Sequence, residues 1–165
     1  GIATSYGYNP FEPTDHYFSS KQLIDLLIDK VSNGGNLLLN VGPTADGMIP
    51  VIMQERLLDM GNWLAINGEA IYDTQAWNDR PLDMKAKHVY FTRKGNDLYV
   101  LCTEWTGRPI VIKNVKKPSS TNLLGYTGAI KTQHKGDELQ IIPAKLTPAT
   151  MPTNHAWVYK LENVL

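Results

Sequence analysis

The chain has 165 residues, 42% of them hydrophobic, enough for one domain or two small ones. Lysine plus arginine equals aspartate plus glutamate at 16 each, so there is no electrostatic case for nucleic acid or an anionic membrane as partner. The single cysteine, Cys102, excludes an internal disulfide framework and a zinc site built on cysteine pairs, and no apolar run approaches membrane-spanning length.

Gly1–Ser5 lack the basic region and apolar core of a signal peptide, and a start without methionine reads as a fragment or a processed piece. Residues 1–18 hold Tyr6-Gly7-Tyr8-Asn9-Pro10-Phe11, with Pro13, Thr14 and Asp15 following. Glycine, proline and asparagine at this density predict a loop, and three aromatics make it either a lid on the core or one wall of a ligand site. Ser19 with Gln22 forms a capping box for a helix over 20–32. Leu23, Leu27 and Val31 make one apolar row of that helix and Ile24 and Ile28 the next, a stripe wide enough to cover a sheet. Lys30 is the last-turn cation and Gly34 the C-terminal cap.

Gly35-Asn36-Leu37-Leu38-Leu39-Asn40-Val41-Gly42-Pro43 is apolar at successive positions and punctuated at both ends. That predicts a strand buried on both faces, as in a parallel sheet covered by helices. Thr44–Gly47 is a turn. Pro50 opens a second helix over 50–66, where Met53, Leu57, Met60 and Leu64 have helical spacing and Gly61 could permit a close approach to a sheet. Helix, strand, helix is α/β grammar. After Trp77 the texture changes. Asn78–Pro81 reads as a linker, and short strand patterns follow at 89–92, 98–101, 109–112, 122–126, 129–132, 139–142 and 156–161, with glycine-containing hairpin loops at 93–97 and 134–137. The expectation is α/β followed by all-β: residues 1–77, then an antiparallel β-sandwich over 82–165.

Ser5-Tyr6-Gly7-Tyr8-Asn9, Leu23-Ile24, Gly35–Pro43, Asp46-Gly47, Glu55-Arg56-Leu57, Gly61-Asn62-Trp63-Leu64 and Asn67-Gly68-Glu69-Ala70-Ile71-Tyr72 occur in this order. In order, spacing and wording this series resembles the C-terminal part of the α-L-fucosidases of glycoside hydrolase family 29 over residues 5–77. The later region resembles the family's sandwich more loosely, with Asn122-Leu123-Leu124-Gly125 as its best word. The resemblance implies a (β/α)8-like catalytic barrel followed by a β-sandwich, and hydrolysis of terminal α-L-fucose with retention through a covalent glycosyl-enzyme on an aspartate. It implies no cofactor, and a secreted, periplasmic or lysosomal setting. Both catalytic carboxylates would lie upstream, so no catalytic residue is expected in this chain.

Residues 1–18 would follow the barrel's seventh strand and 42–49 its eighth, both on the catalytic face. Family members commonly carry tryptophan or another aromatic at Tyr6, where the ring lines the pocket against the apolar C6 methyl of fucose. Asn40 ends the buried strand, near the site, or satisfies backbone groups of the following loop. Glu12 and Asp15 can be put forward as carboxyl catalysts or taken as ordinary loop carboxylates, and His16 as a sugar contact or a surface residue. Glu69 is expected to be structural and Trp63 core. Trp77 would pack between domains. Trp105 either packs or touches carbohydrate. His88, His134 and His155 lack metal-ligand spacing, so no metal site is expected. Expected partners are a fucosylated glycan and either the remainder of the barrel or a second copy of the chain, with no nucleic acid and no membrane. A carbohydrate-binding or interaction module is the rival class. A sugar-phosphate barrel fragment fits poorly, because the loop after the buried strand lacks a glycine-rich cradle.

Overall fold

The computed structural model describes residues 1–78 and 88–165. Most of the expected linker, Asp79–Pro81, lies outside the described residues, and the division into 1–77 and 82–165 stands as a proposal.

Helix α1 spans Ser20–Ser32. The Ser19 hydroxyl accepts from Gln22 N (3.2 Å) while the Gln22 side chain accepts from Ser19 N (2.8 Å), the reciprocal capping box read from the sequence. Its C-terminus is closed by Gly35 N donating to Lys30 O (2.8 Å) and Gly34 N to Val31 O (3.0 Å), with Gly34 in the left-handed region. Helix α2 spans Val51–Asn67, with Pro50 as the extended N-cap rather than in the first turn. Gly61 has open space where a Cβ would sit, so the helix needs no close approach there. The two helices pack against each other, and the Ser20 hydroxyl donates to Asp59 across the contact.

The β-region forms two antiparallel sheets. β1 (Gln75–Ala76), β2 (Val89–Lys94), β3 (Asp97–Cys102), β5 (Thr121–Leu123) and β8 (Trp157–Leu161) make one, in the order β1-β2-β3-β8-β5. β4 (Ile110–Lys113), β6 (Lys131–Lys135) and β7 (Glu138–Ile142) make the other, in the order β4-β7-β6. Both expected hairpins form with loops tighter than read, closing through Gly95-Asn96 and Gly136-Asp137. Leu98, Val100 and Cys102 of β3 and Trp157, Tyr159 and Leu161 of β8 face the second sheet. Trp77 joins that core edge-to-face on Phe91, centroids 5.3 Å apart.

The alternate residues of the same strands are apolar as well. Tyr99, Leu101 and Val158, with Leu124 and Ala156, share a second core with Leu23, Ile24, Ile28, Met53 and Trp63 of the helices. The molecule is thus three layers, helices on sheet on sheet, and the five-stranded sheet is covered on both faces. Trp63, expected in the core, is buried there and donates from Nε1 to Ala156 O (2.9 Å). Thr92 Oγ1 donates to Ala70 O (2.7 Å). Glu69 is structural, as expected: its Oε2 accepts from Tyr99 Oη and from Lys160 Nζ, each at 3.1 Å. Gly125 explains the Asn122–Gly125 word. It has φ +75°, and a Cβ there would lie 2.7 Å from Ile66 Cγ2, so only glycine lets this turn meet α2.

Residues 36–41 differ from expectation. They belong to no sheet ladder among the described residues; their backbone is linked to the rest by Ile2 N donating to Asn40 O (3.0 Å). Leu37, Leu39 and Val41 pack against the helical core, whereas Leu38 is 95% exposed. The alternation is that of extended chain covered on one face. The helices lie on one side only, and nothing among the described residues supplies the other.

Candidate functional site

Residues 4–17 form a compact loop closed at its base. Ala3 bridges Tyr17, Thr4 N donates to His16 O (3.3 Å), and Phe18 N donates to Ile2 O (3.0 Å). Its interior is organised by two polar side chains. Asn9 Oδ1 accepts from Phe11 N (3.0 Å), an Asx turn, and Asn9 Nδ2 donates to Ser5 Oγ (3.2 Å). Glu12, whose side chain is only 3% exposed, accepts from Ser5 N (3.2 Å) and pairs with His16 Nδ1 (3.4 Å).

The loop is latched to the segment that follows the leucine run. Asn40 Nδ2 donates to Tyr6 O (2.6 Å). Gly42 lies beneath Gly7 and Tyr8, where a Cβ would come within 2.4 Å of Tyr8 N and 2.6 Å of Gly7 C. On the other side, Thr44 Oγ1 bonds Asp46 and accepts from Met48 N (3.1 Å), closing the next loop. The two predicted site residues, Tyr6 and Asn40, are therefore brought together; Asn40 does bond a backbone group, but one of the preceding loop rather than of the loop that follows it. Tyr6 presents its ring outward at 81% exposure, and Phe11 does the same at 89%.

The electrostatics tell against a local acid catalyst. The Glu12 carboxyl is held below its ordinary value, first by the Ser5 hydrogen bond and further by His16. The Thr44 hydroxyl likewise holds Asp46 down. A general acid needs the opposite shift. Asp15 is exposed in the short turn Thr14–His16. Of the scattered histidines, His88 pairs with Glu104 (3.4 Å) and His134 Nε2 bonds Val115 O (3.2 Å); the described residues contain no cluster able to hold a metal. Sequence inspection missed Glu12 as the loop's anchor and Gly42 as its seat. The Asn-Pro-Phe-Glu run was the available signal for the first, and the Gly-Pro pair for the second.

Because the anchor is a depressed carboxyl, loop order depends on pH with a definite sign. The unfolded loop binds a proton near pH 4.5, the folded loop only lower. The contribution is complete above that value and is lost as pH falls through the folded pKa. We expect Ser5 amide protection to be constant from neutrality to about pH 5 and to drop on further acidification, and Glu12→Gln to abolish this dependence. Hydrogen exchange followed by NMR reads both, and a pH-independent Ser5 in the unaltered chain would remove Glu12 from this role.

Two helices bracketing a leucine-rich extended segment, with loops gathered at its C-terminal end and an antiparallel sandwich behind, define the last portion of a (β/α)8-like barrel with an appended β-sandwich. The family model described as alpha-L-fucosidase matches residues 1–69, and that of the alpha-L-fucosidase C-terminal domain matches 82–162. The chain belongs to the α-L-fucosidase family, of which it carries the C-terminal part. It is 36% identical to the tissue α-L-fucosidase of Homo sapiens over 97% of its own length and 35% of that protein. Among solved structures, the Thermotoga maritima α-fucosidase is 34% identical with a TM-score of 0.76, over 97% of this chain and 38% of that one. Isoenzyme 1 of Paenibacillus thiaminolyticus is 27% identical with a TM-score of 0.81, over 99% and 38%. The chain therefore spans about a third of the length of the curated relatives it matches.

Proposed function

We propose that the intact protein is a retaining α-L-fucosidase removing terminal α-L-fucose from glycans, with its catalytic carboxylates in the part that precedes this chain. The observation that carries the proposal is the latch between the two loops: Asn40 and Gly42 seat the segment bearing Tyr6 at the C-terminal end of the last barrel segment, where such barrels bind substrate. Tyr6 forms an apolar wall of the sugar pocket, and Asn40 holds that wall in position. The Thermotoga maritima relative has been solved in complex with fucose, which supports the same ligand here. The separate family matches support a division between barrel and sandwich units. The exposed side chains of Tyr6, Phe11, Leu38, Met48 and Val51 support a further partner, the remainder of the barrel or a second copy of the chain, rather than nucleic acid or membrane.

The isolated chain should give no hydrolysis of an aryl α-L-fucoside above a buffer blank, and mixing with the preceding barrel piece should restore turnover. Fucoside hydrolysis by the chain alone, in a preparation free of contaminating enzyme, counts against this assignment. So does failure of the intact protein to cleave any α-L-fucoside.

A further inference from the structure

The irregular segment 151–156, which leads into β8, touches both the sandwich and α2. At its start, Met151 Sδ accepts a hydrogen bond from Trp157 Nε1 (3.3 Å). Pro152 lies where the Gly125 turn meets α2: a Cβ on Gly125 would stand 3.0 Å from Pro152 Cβ and 2.7 Å from Ile66 Cγ2. At its end, Ala156 O accepts from Trp63 Nε1 (2.9 Å). The Met151 contact is chemically the odd one. Trp157 is buried in the core between the sheets and lies against Trp105, centroids 5.5 Å apart. Its indole N–H is a donor only, and its partner among the described residues is a thioether, a weak acceptor. Met151 is itself 37% exposed, so small solutes reach the side chain, whereas Met53 and Met60 are buried in the helical core.

We propose that Met151 is an oxidation site of this chain: a peroxide delivers one oxygen to its sulfur, and the sulfoxide frees 151–156 from Trp157 and loosens its seat on α2. In the reaction a sulfur lone pair attacks one peroxide oxygen and the O–O bond breaks. The other oxygen leaves as water, so the sulfur gives up an electron pair and the peroxide is reduced. Two sulfoxide epimers form, and neither keeps the contact. An oxygen on the solvent side withdraws density and leaves the sulfur a poorer acceptor for the indole. An oxygen on the indole side needs about 2.9 Å to the nitrogen with the sulfur beyond it. The sulfur already stands 3.3 Å from Nε1, so Met151 must back away. Pro152, the next residue, is the contact with Ile66 and Gly125, and the same short segment carries the Ala156 carbonyl bonded to Trp63. A change at one exposed sulfur therefore reaches the seam between helices and sandwich. The inference does not depend on the fucosidase reading.

The test adds hydrogen peroxide to the folded chain and reads the oxidised positions by peptide mass mapping. The tryptophan indole N–H groups are followed by NMR, with Trp157→Phe assigning the Trp157 signal. Met151 should oxidise at a rate comparable to that of Met48, which is 59% exposed. It should do so at least about tenfold faster than Met53 and Met60, which must wait for the core to open. As Met151 oxidises, the Trp157 signal should shift, and hydrogen exchange at the Trp63 indole should rise by about tenfold, the worth of one hydrogen bond. In Met151→Leu, a volume-conserving swap, peroxide should move neither signal. Met48→Leu should leave both responses in place. The proposal is overturned if Met151 oxidises no faster than the buried pair. It is overturned equally if its sulfoxide forms with the Trp157 signal or the Trp63 exchange unchanged, or if the responses survive Met151→Leu.

Discussion

Gly42→Ala in the intact protein should lower kcat/KM for an α-L-fucoside by on the order of a hundredfold while leaving the melting temperature nearly unchanged. The added methyl would stand 2.4 Å from Tyr8 N, 2.6 Å from Gly7 C and 3.0 Å from Tyr8 Cα. All three are backbone atoms, so no rotamer change relieves the contact and the loop itself must lift. Lifting it breaks the Asn40–Tyr6 hydrogen bond and carries the Tyr6 ring out of register, and misplacements near 1 Å at a positioning element are costly on this scale. Folding is spared because the lifted loop lies outside the helical core and the core between the sheets, neither of which includes Gly42, Gly7 or Tyr8. Tyr6→Ala is the milder comparison. It deletes the ring without moving the backbone and should cost on the order of 1–3 kcal/mol in substrate binding. Normal kcat/KM for Gly42→Ala would mean that this loop does not touch the substrate.

The piece 82–165, produced alone, should self-associate rather than fold as a stable monomer. Two packed sheets bury their own inner faces, and on that ground alone a sandwich could stand by itself. The structure adds a third layer. Leu101, Leu124 and Val158, together with Tyr99 and Ala156, are buried against Leu23, Ile24, Ile28, Met53 and Trp63. Exposing three such aliphatic side chains forfeits about 1.5–3 kcal/mol each, on the order of 5–9 kcal/mol together. That equals the whole net stability of many domains. The cut also strands the Ala156 carbonyl that accepts from Trp63 and removes Glu69 from Lys160, which keeps Asp97 and Glu162 within reach. Light scattering and hydrogen exchange of the piece test this, and Leu101→Lys with Val158→Thr should restore a monomer. A monomeric, slowly exchanging piece without those changes would show that the helix–sheet contact contributes little.

What the sequence determined by itself was local. Ser19 and Gln22 specify the start of α1, Gly34 its end, and the glycines at 95 and 136 the hairpins, because each feature is settled by backbone geometry within a few residues. The order of words from Ser5 to Tyr72 carried the family, since motif spacing needs no contact map. Side-chain burial across layers was decided only in three dimensions. The Tyr99–Leu101–Val158 face reads as ordinary strand alternation until α1 and α2 are seen to cover it. Leu37, Leu38 and Leu39 are equally apolar in sequence, yet Leu38 alone is bare, because burial depends on neighbours that distant segments must bring. The seat of Tyr6 has the same origin. Asn40 and Gly42 lie more than thirty positions along the chain, and only the close approach of two loops shows that one bonds Tyr6 and the other leaves room for Gly7 and Tyr8 beside it.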